Sequence, residues 1–205
     1  MLGLSRTSLR EAVRALTLLG VIDARQGDAS YITGLGPDLL LGALGLAVDL
    51  QREDTIVDLV GVRRVSEPAV TATAATRIST VEVEHLRSYI RPDLSQEQAR
   101  QHVELDWEFH HTIAQAAGNE LLAALLDGLT TPTIRMRTWR GLSVPGIIER
   151  TLAEYEAIVD ALAAGDPELA RAAATMHVAG VEAWLRSLSP GWSTLAAEQV
   201  RAFGA

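Results

Sequence analysis

An aspartate and a histidine stand four residues apart in a segment with helical periodicity, at Asp106 and His110. Because four residues make about one helical turn, both side chains project from one face and together could bind a metal ion. The same spacing also suits a hydrogen bond on the surface of a helix. The pair alone therefore leaves a metal site and a surface hydrogen bond both open.

A second group of candidate residues lies near the N-terminus, in the segment Ser5-Arg6-Thr7-Ser8-Leu9-Arg10-Glu11-Ala12-Val13. Its polar residues gather in the first turn and its apolar residues follow one face, which is the division that a DNA-recognition helix needs. Arg6 and Arg10 share a face and could approach guanine edges or phosphates together. An ordinary amphipathic surface helix has the same pattern, so periodicity alone does not decide between the two.

The elements that must position these residues change character along the chain. A helix from Ser5 to Gly20 is followed by two short β-like runs, 21–24 and 30–33, and by a linker near residues 34–37. Beyond the linker the pattern predicts only helices. The first of them is expected at 54–78, with Pro68 as a kink or break. Two capping boxes, Ser79/Glu82 and Ser95/Gln98, predict helices that start near 80 and 96, and the second of these runs to about Ala117. Further helices are expected at 121–129, 147–164 and 167–188, followed by a weakly patterned tail over 190–205.

Composition limits the classes of protein that this chain can be. It has 205 residues, 48% of them hydrophobic, and no cysteine, which excludes disulfide frameworks, thiolate metal sites and cysteine nucleophiles. We expect a cytoplasmic protein without an export signal, and the most apolar run, 39–48, is too short to cross a membrane. The net charge is −8, yet the first 34 residues hold four arginines against three acids. This asymmetry suggests two modules with different partners.

The order of the N-terminal elements adds a resemblance. A helix that runs through Leu18-Leu19-Gly20-Val21-Ile22 into a hairpin with Arg25-Gln26-Gly27 at its tip is similar to the winged helix-turn-helix of GntR-type bacterial regulators, over residues 2–33. The resemblance implies that operator DNA is a partner and that helix and wing both contact it. The implied DNA-binding residues are Ser5, Arg6, Thr7, Ser8 and Arg10 of the helix and Arg25, Gln26 and Gly27 of the wing.

Two features depart from the pattern of that family. Asp28 follows the wing tip where the family has a basic residue, which places a carboxylate where a DNA phosphate would lie. The family also has two helices before the recognition helix, whereas this sequence begins at its edge, so that Met1 resembles an internal methionine. The N-terminal module is therefore expected to be a truncated winged helix-turn-helix, and our hypothesis is that this polypeptide alone binds operator DNA poorly.

Short motifs further along resemble the FCD effector-binding domain of FadR-type GntR regulators. They cover about residues 50–188 and comprise Val62-Arg63, Glu67-Pro68-Ala69, Ala74-Ala75, Asp106-Trp107-Glu108-Phe109-His110, Ala116-Ala117-Gly118-Asn119, Ala164-Gly165-Asp166 and Met176-His177-Val178. The resemblance implies an antiparallel bundle that forms a homodimer and holds a small carboxylate effector at its centre, often beside a divalent metal. Arg63 aligns with an effector-binding arginine of the family, and Arg137 or Arg135 could assist it.

The metal ligands implied by the family are one aspartate and three histidines. Three of them match Asp106, His110 and His177, but Tyr155 occupies the position of the fourth. A neutral phenol is a poor ligand for zinc, nickel or manganese, so the metal site should be weakened. The alternative is that Tyr155 donates a hydrogen bond directly to the effector and that no metal is needed.

These expectations combine into a mainly α protein that is a regulator and not an enzyme. We predict a partial winged helix-turn-helix over 1–36, an antiparallel bundle of six or seven helices over 37–190 that binds effector and dimerises, and a tail over 191–205. One alternative is a sensing or dimerising subunit that lacks DNA binding. Another is a metalloenzyme with a 2-His-1-carboxylate set, but the chain has no evident general base with a partner, and this reading leaves the helix and hairpin unexplained.

Overall fold

The structure is a computed structural model that describes residues 5–18, 20–24, 29–33, 53–95, 98–130 and 133–203. Its first helix, α1, spans Arg6–Leu18 and begins where predicted, because the backbone N–H of Ser8 donates to Oγ of Ser5 over 3.0 Å. Gly20, at φ 72°, closes the helix. Strands β1 (Ile22–Ala24) and β2 (Ser30–Ile32) then pair antiparallel, as the predicted hairpin requires. The wing tip and the linker near 34–37 lie outside the described residues.

The remainder of the described chain is helical. Its helices are α2 (Glu53–Ala75), α3 (Thr80–Ser88), α4 (Ala99–Ala116), α5 (Glu120–Thr130), α6 (Ile134–Ser143), α7 (Ile147–Ala163), α8 (Pro167–Arg186) and α9 (Trp192–Phe203). The expected mainly α architecture is confirmed, with eight helices after the hairpin in these ranges instead of six or seven. None of the helices described here is both long and apolar enough to span a bilayer.

Several predicted helix boundaries are confirmed by their caps. Ser79 and Glu82 form the reciprocal capping box that starts α3. The carboxylate of Asp166 accepts hydrogen bonds from two backbone N–H groups at the start of α8, and Gly118 and Gly165, both with positive φ, follow the ends of α4 and α7. These ends were readable in sequence because each depends on a local contact.

Other expectations are met only in part or differ from the structure. Helix α4 is described from Ala99, and residues 96 and 97, next to its predicted start, lie outside the described residues. The backbone N–H of Ser95 donates to the side chain of Gln98, which is one half of the predicted capping box. Pro68 lies inside α2, and the helix continues through it. The expected tail is helical as α9, and helix α6 was missed altogether.

Two apolar clusters hold the bundle together. The larger one joins α2, α3, α4, α5, α7 and α8 around Phe109 and Ile158, and the smaller one joins α6, α8 and α9 to the start of α2 around Trp139 and Trp192. Helices α2 and α8 contact each other along much of their length. Since Trp192 is buried in the smaller cluster, α9 packs as part of the bundle.

Candidate functional site

The candidate metal ligands lie on two helices that face each other. Asp106 and His110 occupy successive turns of α4, on the face that also buries Val103 and Phe109. His177 lies on the buried face of α8. Polar side chains on an apolar face must find partners inside the bundle, because each unpaired buried group costs free energy.

Asp106 finds its partners on α6 and α7. The phenol of Tyr155 donates a hydrogen bond to Oδ1 of Asp106, and the guanidinium of Arg137 forms an ion pair with Oδ2. Nε2 of His110 lies 4.0 Å from Oδ1, which is too far for a hydrogen bond. Burial raises the pKa of Tyr155, so the phenol keeps its proton and remains the donor. Both oxygens of Asp106 are thus engaged by side chains of this chain.

His177 is oriented by Glu154 on α7. Nδ1 of His177 lies 3.0 Å from Oε2 of Glu154, whose other oxygen accepts from Arg150 over 2.9 Å. Burial acts to raise the pKa of Glu154, but the contacts with His177 and Arg150 outweigh it and lower the pKa. An ionised carboxylate accepts a hydrogen bond from Nδ1–H, which makes Nε2 the lone-pair nitrogen of a neutral His177 ring.

His110 lies next to a buried ion pair on α2. Arg63 and Glu67 form this pair at successive turns, with 1% and 4% of their surfaces exposed, and Nη1 of Arg63 lies 3.5 Å from Oγ1 of Thr133. Burial alone would raise the pKa of Glu67, but the charge of Arg63 lowers it to about 2. Nδ1 of His110 is 3.5 Å from Oε2 of Glu67, yet burial lowers the pKa of His110 to about 3. The imidazole is therefore neutral near pH 7.

A cavity opens between α4, α6, α7 and α8. Its volume is about 600 Å³ including the mouth, and Asp106, Tyr155 and His177 line it together with Arg137 and Arg140. Both arginines are nearly inaccessible, at 7% exposure each. Nε and Nη2 of Arg137 and Nε of Arg140 have no hydrogen-bond partner among the residues that the structure describes. Buried guanidinium donors beside a cavity are chemically suited to bind an anion.

The comparisons with known proteins decide what kind of protein carries this cavity. The FCD domain family matches residues 58–180. The transcriptional regulator LutR of Bacillus subtilis is 30% identical over 183 residues, which cover 87% of this chain and 83% of LutR. The chain belongs to the GntR family of transcription regulators with an FCD domain. Its function is accordingly that of a DNA-binding regulator with an effector-binding domain. Membership of this family argues against an enzymatic role.

Other relatives agree with this assignment. The putative L-lactate dehydrogenase operon regulatory protein of Escherichia coli is 27% identical over 195 residues, covering 90% of this chain and 74% of that protein. A solved structure of GntR from Streptococcus agalactiae matches at a TM-score of 0.59 and 26% identity, over 88% of this chain and 83% of that one. The mainly α regulator fold predicted from the sequence is thereby confirmed.

The three expected metal ligands of this FCD regulator do come together. One ligand atom from each of Asp106, His110 and His177 lies within 4.8 Å of the others. Two ligands with bonds of about 2.1 Å to one ion are at most roughly 4.2 Å apart, so these separations are close to those of a metal site. A metal would nevertheless have to displace Tyr155 from Asp106 and lie beside the Arg137 cation. As arranged, these residues do not fit a tightly held divalent ion.

The other candidate residues are placed as follows. Arg63 is buried in its ion pair and is not among the residues that line the cavity between α4 and α8, whereas Arg137 is. Nδ1 of His111, the residue after His110, lies 2.8 Å from Oδ2 of Asp127 on α5. The exposed residues of the DNA-binding set are Ser5, Thr7, Ser8 and Arg10; the side chain of Arg6 and the residues Arg25, Gln26 and Gly27 are outside the described set.

Three residues of the site were missed in the sequence. Glu67 could have been found, because it stands four residues after Arg63 and that spacing favours a helical ion pair. Glu154 stands four residues after Arg150 and offered the same signal. Arg140 offered none, since its partner, the carbonyl of Gly180, lies on another helix.

The buried Arg63–Glu67 pair generates a prediction about stability. Arg63→Met leaves the Glu67 carboxylate buried without its cation and should lower the free energy of unfolding by about 3–5 kcal/mol. The double variant Arg63→Met/Glu67→Leu removes both charges and should recover most of that loss. Urea denaturation measures both, with Arg100→Met in the exposed Arg100–Glu104 pair as the matched control. A double variant as unstable as the single one would contradict the explanation.

A second prediction concerns the pH dependence of stability. The pKa of His110 falls from 6.5 to about 3 on folding, so the unfolded chain takes up a proton that the folded chain resists. The free energy of unfolding is therefore unaffected by His110 above pH 6.5 and falls as the pH drops from 6.5 towards 3. The loss in the free energy of unfolding is about 2 kcal/mol at pH 5. We expect His110→Gln to lose less stability between pH 7 and pH 5 than the wild type, in denaturation experiments with EDTA present.

The control for this experiment is His85→Gln, which removes an exposed histidine of α3. It should retain the full pH dependence of the wild type. If His110→Gln and the wild type lose stability equally, the histidine is not buried in its neutral form.

Proposed function

We propose that this regulator binds a small carboxylate in the cavity lined by Arg137 and Arg140, and that the bound carboxylate changes its affinity for operator DNA. The observation that carries the proposal is the presence of two nearly inaccessible guanidinium groups with unpartnered N–H donors at one cavity. A carboxylate offers two oxygens in a plane and so matches the fork of an arginine.

The rest of the cavity supports an oriented anion. Its polar lining includes His177, Tyr155 and Thr151. Its apolar lining includes Ile147 and Val181. Few polar groups among apolar ones is the usual composition of a small-molecule site. Because one relative is named as the putative regulator of an L-lactate dehydrogenase operon, L-lactate is the first probe.

The link from effector to DNA follows from the packing. His177 lies on α8, which packs along α2, and α2 is the first described helix after the N-terminal module. A carboxylate that shifts α8 would therefore shift α2, and two such modules in a homodimer would change their spacing relative to two DNA half-sites. We retain 1–36 as the DNA-binding unit and 37–190 as the sensor, to which α9 adds.

A divalent ion held weakly by Asp106, His110 and His177 is the alternative route to the same effector. The observation in its favour is that the three donors lie together and that Glu154 orients His177 as metal-bound histidines usually are oriented. In that case the ion, and not an arginine, would attract the carboxylate.

The proposed DNA contacts lie in the first turn of α1 and at the wing. Ser5 and Ser8 are joined in the helix cap, while Thr7 and Arg10 are exposed on the first turns. Arg6, Arg25, Gln26 and Gly27 complete the proposed set. The first turns of a recognition helix meet the edges of bases in the major groove.

The DNA contacts can be tested with two arginines of one helix. We expect Arg10→Ala to weaken binding to an operator fragment obtained by in vitro selection, by about 1–3 kcal/mol or roughly ten-fold or more. Arg14→Ala is the control, because Arg14 is equally exposed one turn later and faces Glu11. Fluorescence anisotropy gives both affinities. Equal losses for the two variants would contradict a contact made by the first turns, and no operator selected at all would favour a DNA-free sensing subunit.

The effector site is tested on the same operator complex. L-lactate and succinate are added, and at least one should change the operator affinity and raise the melting temperature of the protein. Arg140→Met should weaken the binding of that carboxylate by roughly 10- to 100-fold, because it removes a charge-assisted hydrogen bond. Arg100→Met, on the exposed face of α4, should leave it unchanged. Loss of the response in both variants would argue against this cavity.

A further inference from the structure

We propose that the guanidinium of Arg137 takes the place of a divalent cation in this FCD regulator, so that its anionic ligand is bound without a metal. That the ligand is a carboxylate rests on the proposed function. That no metal is needed is independent of the proposed function, because it concerns only residues of this chain.

The first argument is that Asp106 already has a partner on each of its oxygens. Tyr155 donates to Oδ1 and Arg137 pairs with Oδ2, so a metal ion at this carboxylate would have to lie beside a cation. At the position of Tyr155 the resemblance implies a histidine ligand, which donates a lone pair to a metal. The phenol instead donates a hydrogen bond to the aspartate, and a neutral phenol oxygen is a poor ligand for zinc, nickel or manganese.

The second argument is charge balance. A divalent ion in a buried site needs anions that are not already neutralised. Among the described residues around the three donors, Glu67 is paired with Arg63, and Glu154 with Arg150 and His177. Asp106 is paired with Arg137. Each carboxylate already has its cation or proton donor, and an added ion would face Arg137 across Asp106.

The third argument is the capacity of Arg137 itself. Only 6% of its side chain is exposed, and one edge of its guanidinium is fixed by Asp106. Nε and Nη2 have no partner among the described residues, and the side chain lines the cavity. Asp106 therefore positions a cation that still has donors to offer to an anion.

The metal part of the inference is tested without an effector. The full chain is purified, dialysed against EDTA and titrated with Zn²⁺, Ni²⁺ and Mn²⁺ by calorimetry and by competition with a chelating dye. The wild type should show no stoichiometric high-affinity site. The variant Tyr155→His/Arg137→Gln restores a fourth donor and removes the cation, and should bind Zn²⁺ roughly 10- to 100-fold more tightly than the wild type.

Two results would overturn the metal-free site. One is a single tight equivalent of metal in the wild-type chain. The other is a double variant that melts cooperatively and yet gains no affinity for Zn²⁺. If the double variant fails to fold, the wild-type titration still decides the question, and Tyr155→His alone supplies a milder second variant.

The anion part is tested with L-lactate and succinate, titrated in EDTA and again with Zn²⁺ present. The affinity should be the same in both buffers. Arg137→Lys retains the charge but loses the planar fork, and should weaken binding roughly ten-fold or more, while Arg100→Lys should not. Binding that appears only with Zn²⁺ would overturn this inference and leave the proposed function intact. No binding in either buffer would count against the proposed carboxylate effector, and the metal titration would still stand on its own.

Discussion

The buried carboxylate of Asp106 is the constraint on which the centre of this bundle depends. It lies on an apolar face of α4, where an uncompensated charge would cost several kcal/mol. Its compensation comes from Arg137 on α6 and Tyr155 on α7, so one anion holds three helices in a fixed relation. The cavity lies between these helices and is lined by Asp106 and by both of its partners.

The same requirement continues outward from Asp106. Glu154 holds His177 on the far wall, and Arg63 and Glu67 satisfy each other on α2 beside His110. The buried carboxylates of Asp106 and Glu67 thus each have a cation, but the donors of Arg137 and Arg140 are only partly used. A layer of polar groups that is nearly but not fully satisfied is costly without a ligand. An anion bound there would accept hydrogen bonds from these donors, and its binding could therefore change the positions of the helices that carry them.

The features that sequence predicted best are local ones. The cap at Ser5, the capping box of Ser79 and the glycine stops each join residues within one turn, so their spacing is visible in the chain. Asp106 and His110 were found for the same reason. Helix α6 was missed because its buried positions include Arg137 and Arg140, which interrupt the apolar periodicity that predicts a buried face. Helix α9 was missed because its packing against Trp139 involves a helix that had not been predicted.

The centre of the site lies beyond what spacing can predict, because its bonds join distant parts of the chain. Tyr155 is separated from Asp106 by 49 positions, and only the fold brings the two together. Resemblance identified Tyr155 as a departure, yet it did not indicate that the phenol donates to Asp106. This contact changes the meaning of the substitution. A tyrosine at this position does more than remove a ligand, since it also occupies an oxygen of the remaining aspartate, while Arg137 occupies the other. The phenol of Tyr155 and the guanidinium of Arg137 therefore act on the same carboxylate, one on each oxygen.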